Sequence, residues 1–347
     1  TKLATAIAQE NAKESTTLEH KVNHEYNIHG QFRGFAGQFS PTFVARVLSR
    51  DSSISLIEPD GKVTAFGTQG GNVPWGLRRI SQRTRATQEP YYYPDSAGSG
   101  VTAYVLDTGI ATEHREFQGR ARWGRTFCAG CPDRDDHGHG THCAGTIASA
   151  TYGVAKRASV VAVKVLDSNG KGDWSNVIAG INWVVEQVQK SGNKRALMSM
   201  SLGGGGNQTL ADQAVEAAIA AGVHVIAAAG NDGASACNVS PARVRDTITV
   251  GATDPSDRLA SFSNWGRCVS LLAPGVNIRS TLPGGRNEEQ SGTSMAAPHA
   301  AGVAALLLAD SPNGLMPAEL KRRMLSLATK DVVSNTKGSP NLLLFNG

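Results

Sequence analysis

Four short motifs carry side chains able to do chemistry. Asp107-Thr108-Gly109 follows the apolar run Val101 to Leu106. A carboxylate at a strand end can orient a base, or it can simply cap a helix or close a turn. His137-Gly138-His139-Gly140-Thr141-His142-Cys143-Ala144-Gly145 places three histidines in six residues. A metal would be one reading, but no H-E-x-x-H pattern or paired carboxylate accompanies them, so no metal is expected. Glycines on both sides of His139 allow close packing at the mouth of a helix, where the ring could act as a general base. Ser291-Gly292-Thr293-Ser294-Met295-Ala296-Ala297-Pro298-His299 puts a serine hydroxyl at the positive end of an apolar helix. Ser294 could be a plain N-cap, yet its small neighbours leave room for a substrate carbonyl. Ala228-Ala229-Gly230-Asn231-Asp232 ends another apolar run. There Asn231 could close an Asx turn or donate its amide to an oxyanion.

Taken together, the motifs describe nucleophilic catalysis. A serine hydroxyl is a poor nucleophile until a base takes its proton. His139 would be that base, and Asp107 would fix its tautomer and stabilise the imidazolium. Asn231 and the backbone N–H of Ser294 would hold the oxyanion. The chain order Asp, His, Ser is that of subtilisin-like enzymes and differs from the chymotrypsin and α/β-hydrolase orders. A lipase or esterase reading fails because no G-x-S-x-G follows a strand.

The elements that would position these motifs alternate. From Pro74 onward, strand-like runs ("VTAYVLD", "ASVVAVKVLD", "ALMSMSL", "VHVIAAAG", "TITVGA", "VSLLAPG") are interleaved with helical patterns over Trp174 to Val188 and Leu210 to Ala221. "TSMAAPHAAGVAALLLAD" is apolar almost all round, as a buried helix is. Strands apolar on both faces imply an α/β fold, with a mostly parallel sheet covered on both sides. Ligands bind such sheets beyond the carboxyl ends of the strands, where most of the motifs fall.

Residues 1–67 read differently. Thr1 to His20 suggests a helix and "HEYNIHGQFRGFAGQF" a strand pair. Pro41 opens a second helix, and "ISLIEPD" reads as a short strand before Pro59-Asp60-Gly61. Gly67 to Asn72 reads as an exposed linker or cleavage region. The expected division is a small α+β unit over 1–67 and a larger one over 68–347.

With 347 residues, 18% charged and 40% hydrophobic, the composition is globular. The net charge of +5 is spread without a basic block, so nucleic-acid binding is not expected. No apolar run approaches the roughly 20 residues a membrane helix needs, so no membrane partner is expected either. The chain starts at Thr1 without Met. We read this as a trimmed chain whose export signal lay upstream, which makes the expected location secreted or vacuolar-type lumenal. Five cysteines leave at least one without a partner in the chain. For Cys128-Ala129-Gly130-Cys131, a local disulfide and an exposed thiol pair are both open.

"DTG", "HGTHCAGT", "SLGG", "AAGN" and "SGTSMAAPH" occur in order, and through them the chain resembles the subtilisin-like serine proteases, nearest the proteinase K and aqualysin group. The resemblance runs from about residue 20 to the closing "PNLLLF". It implies a subtilisin-like three-layer fold and a monomeric endopeptidase acting on protein and peptide substrates. Its catalytic residues would be Asp107, His139 and Ser294, with Asn231 in the oxyanion hole. Gly170, Lys171 and Gly172 would form the edge on which substrate lies as an added strand. Trp174 would line the fourth subsite. Ser201, Leu202, Gly203 and Gly204, with Ala228, Ala229 and Gly230, would wall the first. Those walls offer no charge, which implies a broad preference for apolar or aromatic residues before the cut.

The same resemblance identifies "YNIHGQFRGFAGQFS" and "ISLIEPDGKV" as parts of an inhibitory, ferredoxin-like propeptide, whose usual first strand is missing before residue 1, either because the sequence is truncated there or because the propeptide does without it. "NVPWGLRRIS" would begin the mature enzyme, with cleavage between about Thr64 and Gly70. It pairs Cys237 with Cys268, a loop whose closure would stabilise by roughly 3–4 kcal/mol. It also makes Cys143 the free thiol beneath the catalytic histidine. No cofactor is implied as required. Structural calcium is common in the family, but one usual carboxylate position is Ser270 here. Asn207-Gln208-Thr209 and Asn238-Val239-Ser240 are glycosylation sequons.

Overall fold

The chain forms two compact units, Thr1–Thr64 and Ala65–Gly347. The computed structural model describes residues 2–13, 19–28, 32–57, 66–85, 89–206, 208–311 and 313–347.

In the smaller unit, α1 (Lys2–Lys13) precedes the strands β1 (Lys21–Ile28) and β2 (Phe32–Gln38), which pair antiparallel. Helix α2 (Pro41–Arg46) starts on the expected proline, and Ser40 Oγ caps it by accepting the Phe43 N–H at 3.1 Å. Phe43 is buried, stacked 4.5 Å from the His20 ring and 5.6 Å from Phe39. Two expectations change. Helix is described over Lys2–Lys13, residues 1 and 14–18 lie outside the described residues, Glu19 and His20 are not helical, and Ile54–Ile57 form no strand. Leu56 and Ile57 are exposed, and the described strands of this unit, β1 and β2, pair only with each other. The rest of the expected strand and turn, residues 58–64, lies outside the described residues.

The larger unit opens with β3 (Phe66–Gln69), α3 (Trp75–Ile80) and β4 (Tyr91–Pro94). Gly67, Thr68 and Gln69 were expected in an exposed linker but lie in β3, antiparallel to β4. The Tyr93 ring lies across Gly67, where a Cβ would come within 2.6 Å of it, and the Gln69 amide donates to the Thr151 carbonyl at 3.0 Å. A short polar segment is thus tied down by contacts that composition alone does not reveal.

The alternation then proceeds through β5 (Thr102–Asp107), β6 (Ala121–Thr126), α4 (His139–Ala148), β7 (Ser159–Lys164), α5 (Trp174–Ser191) and β8 (Ala196–Met200). It continues with β9 (Gly204–Gly205), α6 (Thr209–Ala220), β10 (His224–Ala228), β11 (Val239–Ser240), β12 (Ile248–Thr253) and β13 (Leu271–Pro274). The chain closes with β14 (Ile278–Leu282), β15 (Arg286–Gln290), α7 (Thr293–Ala309), α8 (Pro317–Leu327), β16 (Thr329–Lys330) and β17 (Leu342–Leu343). Nine strands form the main sheet in the order β16-β17-β13-β12-β10-β8-β5-β7-β6. All its pairings are parallel except β16 with β17.

Side chains alternate across β5 and so build two cores. Ala103 and Val105 join Ile147 of α4 and the alanines of α7 on one face. Tyr104 and Leu106 join Val177, Ile181 and Val184 of α5 on the other. Each fully buried Val, Leu or Ile contributes roughly 1.5–3 kcal/mol. The result is a three-layer α/β fold. From β5 the chain runs out to β6 and back to β7 on one side, and then to β8 on the opposite side. That reversal opens a crevice at the carboxyl ends of β5 and β8.

Candidate active site

Asp107 is the last residue of β5 and has no exposed surface. Its Oδ1 accepts the Thr108 N–H at 2.7 Å and lies 2.7 Å from His139 Nδ1. His139 is the first residue of α4, with its side chain about one-fifth exposed. Gly138 precedes it at φ +105°, in the left-handed region, and a Cβ at Gly140 would overlap the Gly109 carbonyl. The flanking glycines therefore let the helix start against the end of β5. Burial opposes charge on the His139 ring. The adjacent Asp107 carboxylate, through its charge and hydrogen bond, outweighs this and holds the pKa well above the ordinary 6.5.

Sequence reasoning missed the residues that brace this pair. Asp135 is buried and takes the Thr108 hydroxyl at 2.8 Å, the Thr141 hydroxyl at 2.5 Å and the backbone N–H groups of His137, Gly138 and Thr141. Thr108 Oγ1 in turn accepts the Gly140 N–H at 2.9 Å. Lys164, fully buried at the end of β7, donates to the Thr108 carbonyl at 2.6 Å and to Asp136 at 2.8 Å. An aspartate four residues before a helix-opening histidine, read as a cap of the helix N–H groups, was the available signal.

Ser294 is the second residue of α7. Its Oγ donates to the Ser201 carbonyl at 3.1 Å, and Ser201 Oγ donates back to the Ser294 carbonyl at 2.9 Å. Pro298 has no N–H and so leaves that carbonyl without its helical donor. The Cys143 thiol, 3.3 Å away, also donates to it. Cys143 Sγ is 4.0 Å from His139 Nδ1, so one sulfur touches both Ser294 and His139. Burial pushes the Cys143 pKa up, which keeps it a thiol. It is buried and unpaired.

Asn231 is exposed just beyond β10. Its Oδ1 accepts both the Thr293 N–H at 2.8 Å and the Thr293 hydroxyl at 2.9 Å. That fixes the side chain by its oxygen and turns the NH₂ to other partners. Thr293 also accepts the Gly230 N–H at 3.2 Å. Thr293 thus clamps the ends of two elements together, a role the sequence did not suggest.

Two cavities share the wall Ser201 to Gly204. One, of about 590 Å³, is lined by His139, Gly170, Lys171, Gly172 and Trp174. Among the described residues the segment Gly170–Gly172 pairs with no strand, and Asp167 holds it by accepting the Lys171 N–H at 2.9 Å. Its backbone could therefore receive an extended peptide. The other cavity, of about 290 Å³, is lined by Ala228, Gly230, Asn231 and Ser294. Asp232 also lines it, so its wall is not free of charge as expected. Ala229 departs from the expected set. It is fully buried behind the wall, with its N–H bonded to the Val250 carbonyl at 3.0 Å.

The three histidines do not converge on one point. His142 Nε2 meets the carbonyls of Ile278 at 2.9 Å and Glu288 at 3.1 Å. Among the described residues, the one cluster of three potential ligand groups within 4.8 Å is Asp107, His139 and Cys143, already bound to each other and to Ser294. At Ser270, where the resemblance implied a calcium-binding carboxylate in other members, Oγ accepts the Thr249 N–H at 3.1 Å and donates to the Thr247 carbonyl at 3.2 Å. A committed neutral hydroxyl in place of a carboxylate does not fit that ion. Cys237 is bonded to Cys268, and Cys128 to Cys131, which settles the open alternative as a local disulfide. Of the sequons, Asn207 lies outside the described residues, while Asn238 is exposed and Ser240 buried. No described helix is long and apolar enough to cross a membrane.

Residues 98–343 match the profile of the subtilase family. A protein of Pseudogymnoascus destructans named subtilisin-like protease 2 is 47% identical over 331 residues, covering 94% of this chain and 80% of that one. The subtilisin-like serine protease Pen c 2 of Penicillium citrinum is 43% identical over 352 residues, covering 94% and 77%. A crystal structure of a cold-adapted subtilisin-like serine proteinase superposes with a TM-score of 0.75 at 46% identity, covering 80% of this chain and 99% of that one. The buried aspartate–histidine pair, the serine on an apolar helix and these similarities lead to one assignment: the chain belongs to the subtilase family of serine endopeptidases.

Proposed function

We propose that the protein hydrolyses peptide bonds through Ser294, with His139 as general base and Asp107 as its orienting partner. The observation that carries this reading is the 2.7 Å contact between His139 Nδ1 and the fully buried Asp107. With Nδ1–H given to Asp107, His139 Nε2 is left with the lone pair that a base needs. Ser294 Oγ, rotating away from the Ser201 carbonyl, transfers its proton to Nε2 as it attacks the substrate carbonyl. The Asn231 amide and the Ser294 N–H take up the developing oxyanion. His139 then protonates the leaving amine, and water repeats the sequence to release the acyl group.

The substrate backbone lies along Gly170–Gly172, and its fourth side chain from the cut reaches Trp174. The residue before the cut enters the cavity of about 290 Å³. Small, mostly apolar walls favour apolar or aromatic groups there, with Asp232 an added attraction for a basic one. Residues 1–67 act as an inhibitory propeptide of the 68–347 peptidase, removed by self-cleavage between about Thr64 and Gly70. A cut at the Thr64 end of that range leaves β3 whole. The product is a monomeric secreted or lumenal enzyme, a location in keeping with two disulfides. The test is Ser294→Ala. It should abolish casein hydrolysis and leave the propeptide attached, whereas maturation of the purified variant would assign the cleavage to another nucleophile.

A further inference from the structure

The family's structural calcium and this chain disagree at Ser270, and a nearby side chain resolves the disagreement. The backbone carbonyls of Arg245 and Thr247, two residues apart, both point at the amine of Lys321, at 2.7 and 2.8 Å. The Thr247 carbonyl is also the one that the Ser270 hydroxyl bonds, at 3.2 Å. Lys321 arrives from α8, whose neighbouring Leu320 and Met324 are buried in the core, so the helix cannot easily withdraw it. Burial lowers its pKa from the usual lysine value, and the Asp246 carboxylate beside it works in the opposite direction. Converging carbonyls need a cation or a strong donor between them, since two aligned dipoles otherwise repel. A calcium ion demands six to eight oxygens and is usually neutralised by carboxylates. An ammonium brings one charge and three donors: the two carbonyls take two of them, and Asp246 supplies one opposing charge, enough for a monovalent cation.

We propose that Lys321 is a built-in replacement for calcium: its ammonium ties the loop before β12 to α8, and makes this part of the fold independent of the metal. The inference does not depend on which residues perform catalysis.

Thermal denaturation of phosphonate-inactivated protein tests it, in calcium chloride and in chelator. Lys321→Met should melt about 2–5 °C below the wild type in both conditions, from loss of two charge-assisted hydrogen bonds. Lys321→Met combined with Ser270→Asp should melt higher in calcium than in chelator, by a margin larger than any the wild type shows. Ser270→Asp alone should show no such added calcium response, because the ammonium is still present. The proposal is overturned if Lys321→Met melts as the wild type does. It is equally overturned if the double variant responds to calcium no more than the wild type.

Discussion

Ser294 and Pro298 stand four residues apart on α7, the spacing of a helical hydrogen bond, and the proline deletes that bond. The freed Ser294 carbonyl is held instead by Ser201 Oγ at 2.9 Å and by Cys143 Sγ at 3.3 Å. A helix defect is thereby converted into two ties, one to the end of β8 and one to α4. Ser201→Ala should remove the stronger tie. We expect kcat to fall about tenfold and the melting temperature to drop by about 2–4 °C, measured on peptide anilide hydrolysis and on the inactivated variant. Unchanged values for both would assign the bond no structural weight.

Activity should rise with pH through a midpoint above 6.5. Only neutral His139 can accept the Ser294 proton, and Asp107 holds its pKa well above that value. The kcat/KM profile of the free enzyme checks this. Asp107→Asn should move the midpoint down and lower kcat by about 10⁴-fold. A wild-type midpoint below 6.5 would contradict the placement of the charge.

Acid should destabilise the fold before it protonates most carboxylates. His142, His224 and His299 are buried, and burial lowers each pKa from 6.5 to about 4. Above pH 6.5 all three are neutral in both states and add no pH dependence. Between 6.5 and about 4 the unfolded chain takes up protons that the folded chain refuses, so stability falls as pH falls. Melting temperatures of inactivated protein from pH 6.5 to 4.5 should decline, and His224→Leu should flatten the slope. An unchanged slope would remove His224 from the account.

Asp232 lines the cavity beside Ser294. Asp232→Asn should lower kcat/KM for substrates with lysine before the cut by roughly threefold to tenfold, a partly exposed charge pair being worth about 1 kcal/mol. Substrates with phenylalanine there should be unaffected. Equal effects on both substrates would place the carboxylate outside the specificity pocket.

Losing the amide at Asn231 should slow turnover without weakening binding. Asn231→Ala is expected to reduce kcat by roughly 10²–10³ with little change in KM, the size seen when a subtilisin-type oxyanion donor is removed. A rise in KM at constant kcat would instead make Asn231 a ground-state contact.

Much of this was legible in the residues themselves. Apolar strands ending in Asp107 and Ala228, and an apolar helix beginning at Thr293, are local patterns that fix both the sheet and the places of Asp107, Asn231 and Ser294. Glycines at 138 and 140 signalled close packing around His139: a Cβ at 140 would overlap the Gly109 carbonyl, and 138 adopts a left-handed φ of +105°. What stayed hidden depends on contacts across long sequence separations. Lys164 reads as one more residue of an apolar strand, and only the fold brings it to Thr108, 56 residues away. No motif singles out Lys321, yet it closes on carbonyls 74 and 76 residues earlier. Ala229 misled in the other direction. It belongs to the AAGN motif, but strand alternation turns its side chain into the core, away from the cavity that Ala228 lines.

Mass-spectrometric mapping after treatment with a fluorophosphonate probes the central claim most directly. Ser294, activated by His139, should carry a single adduct that forms as activity disappears, and His139→Ala should label at least 10²-fold more slowly. An adduct on a different residue, or full inactivation with Ser294 unmodified, would contradict it.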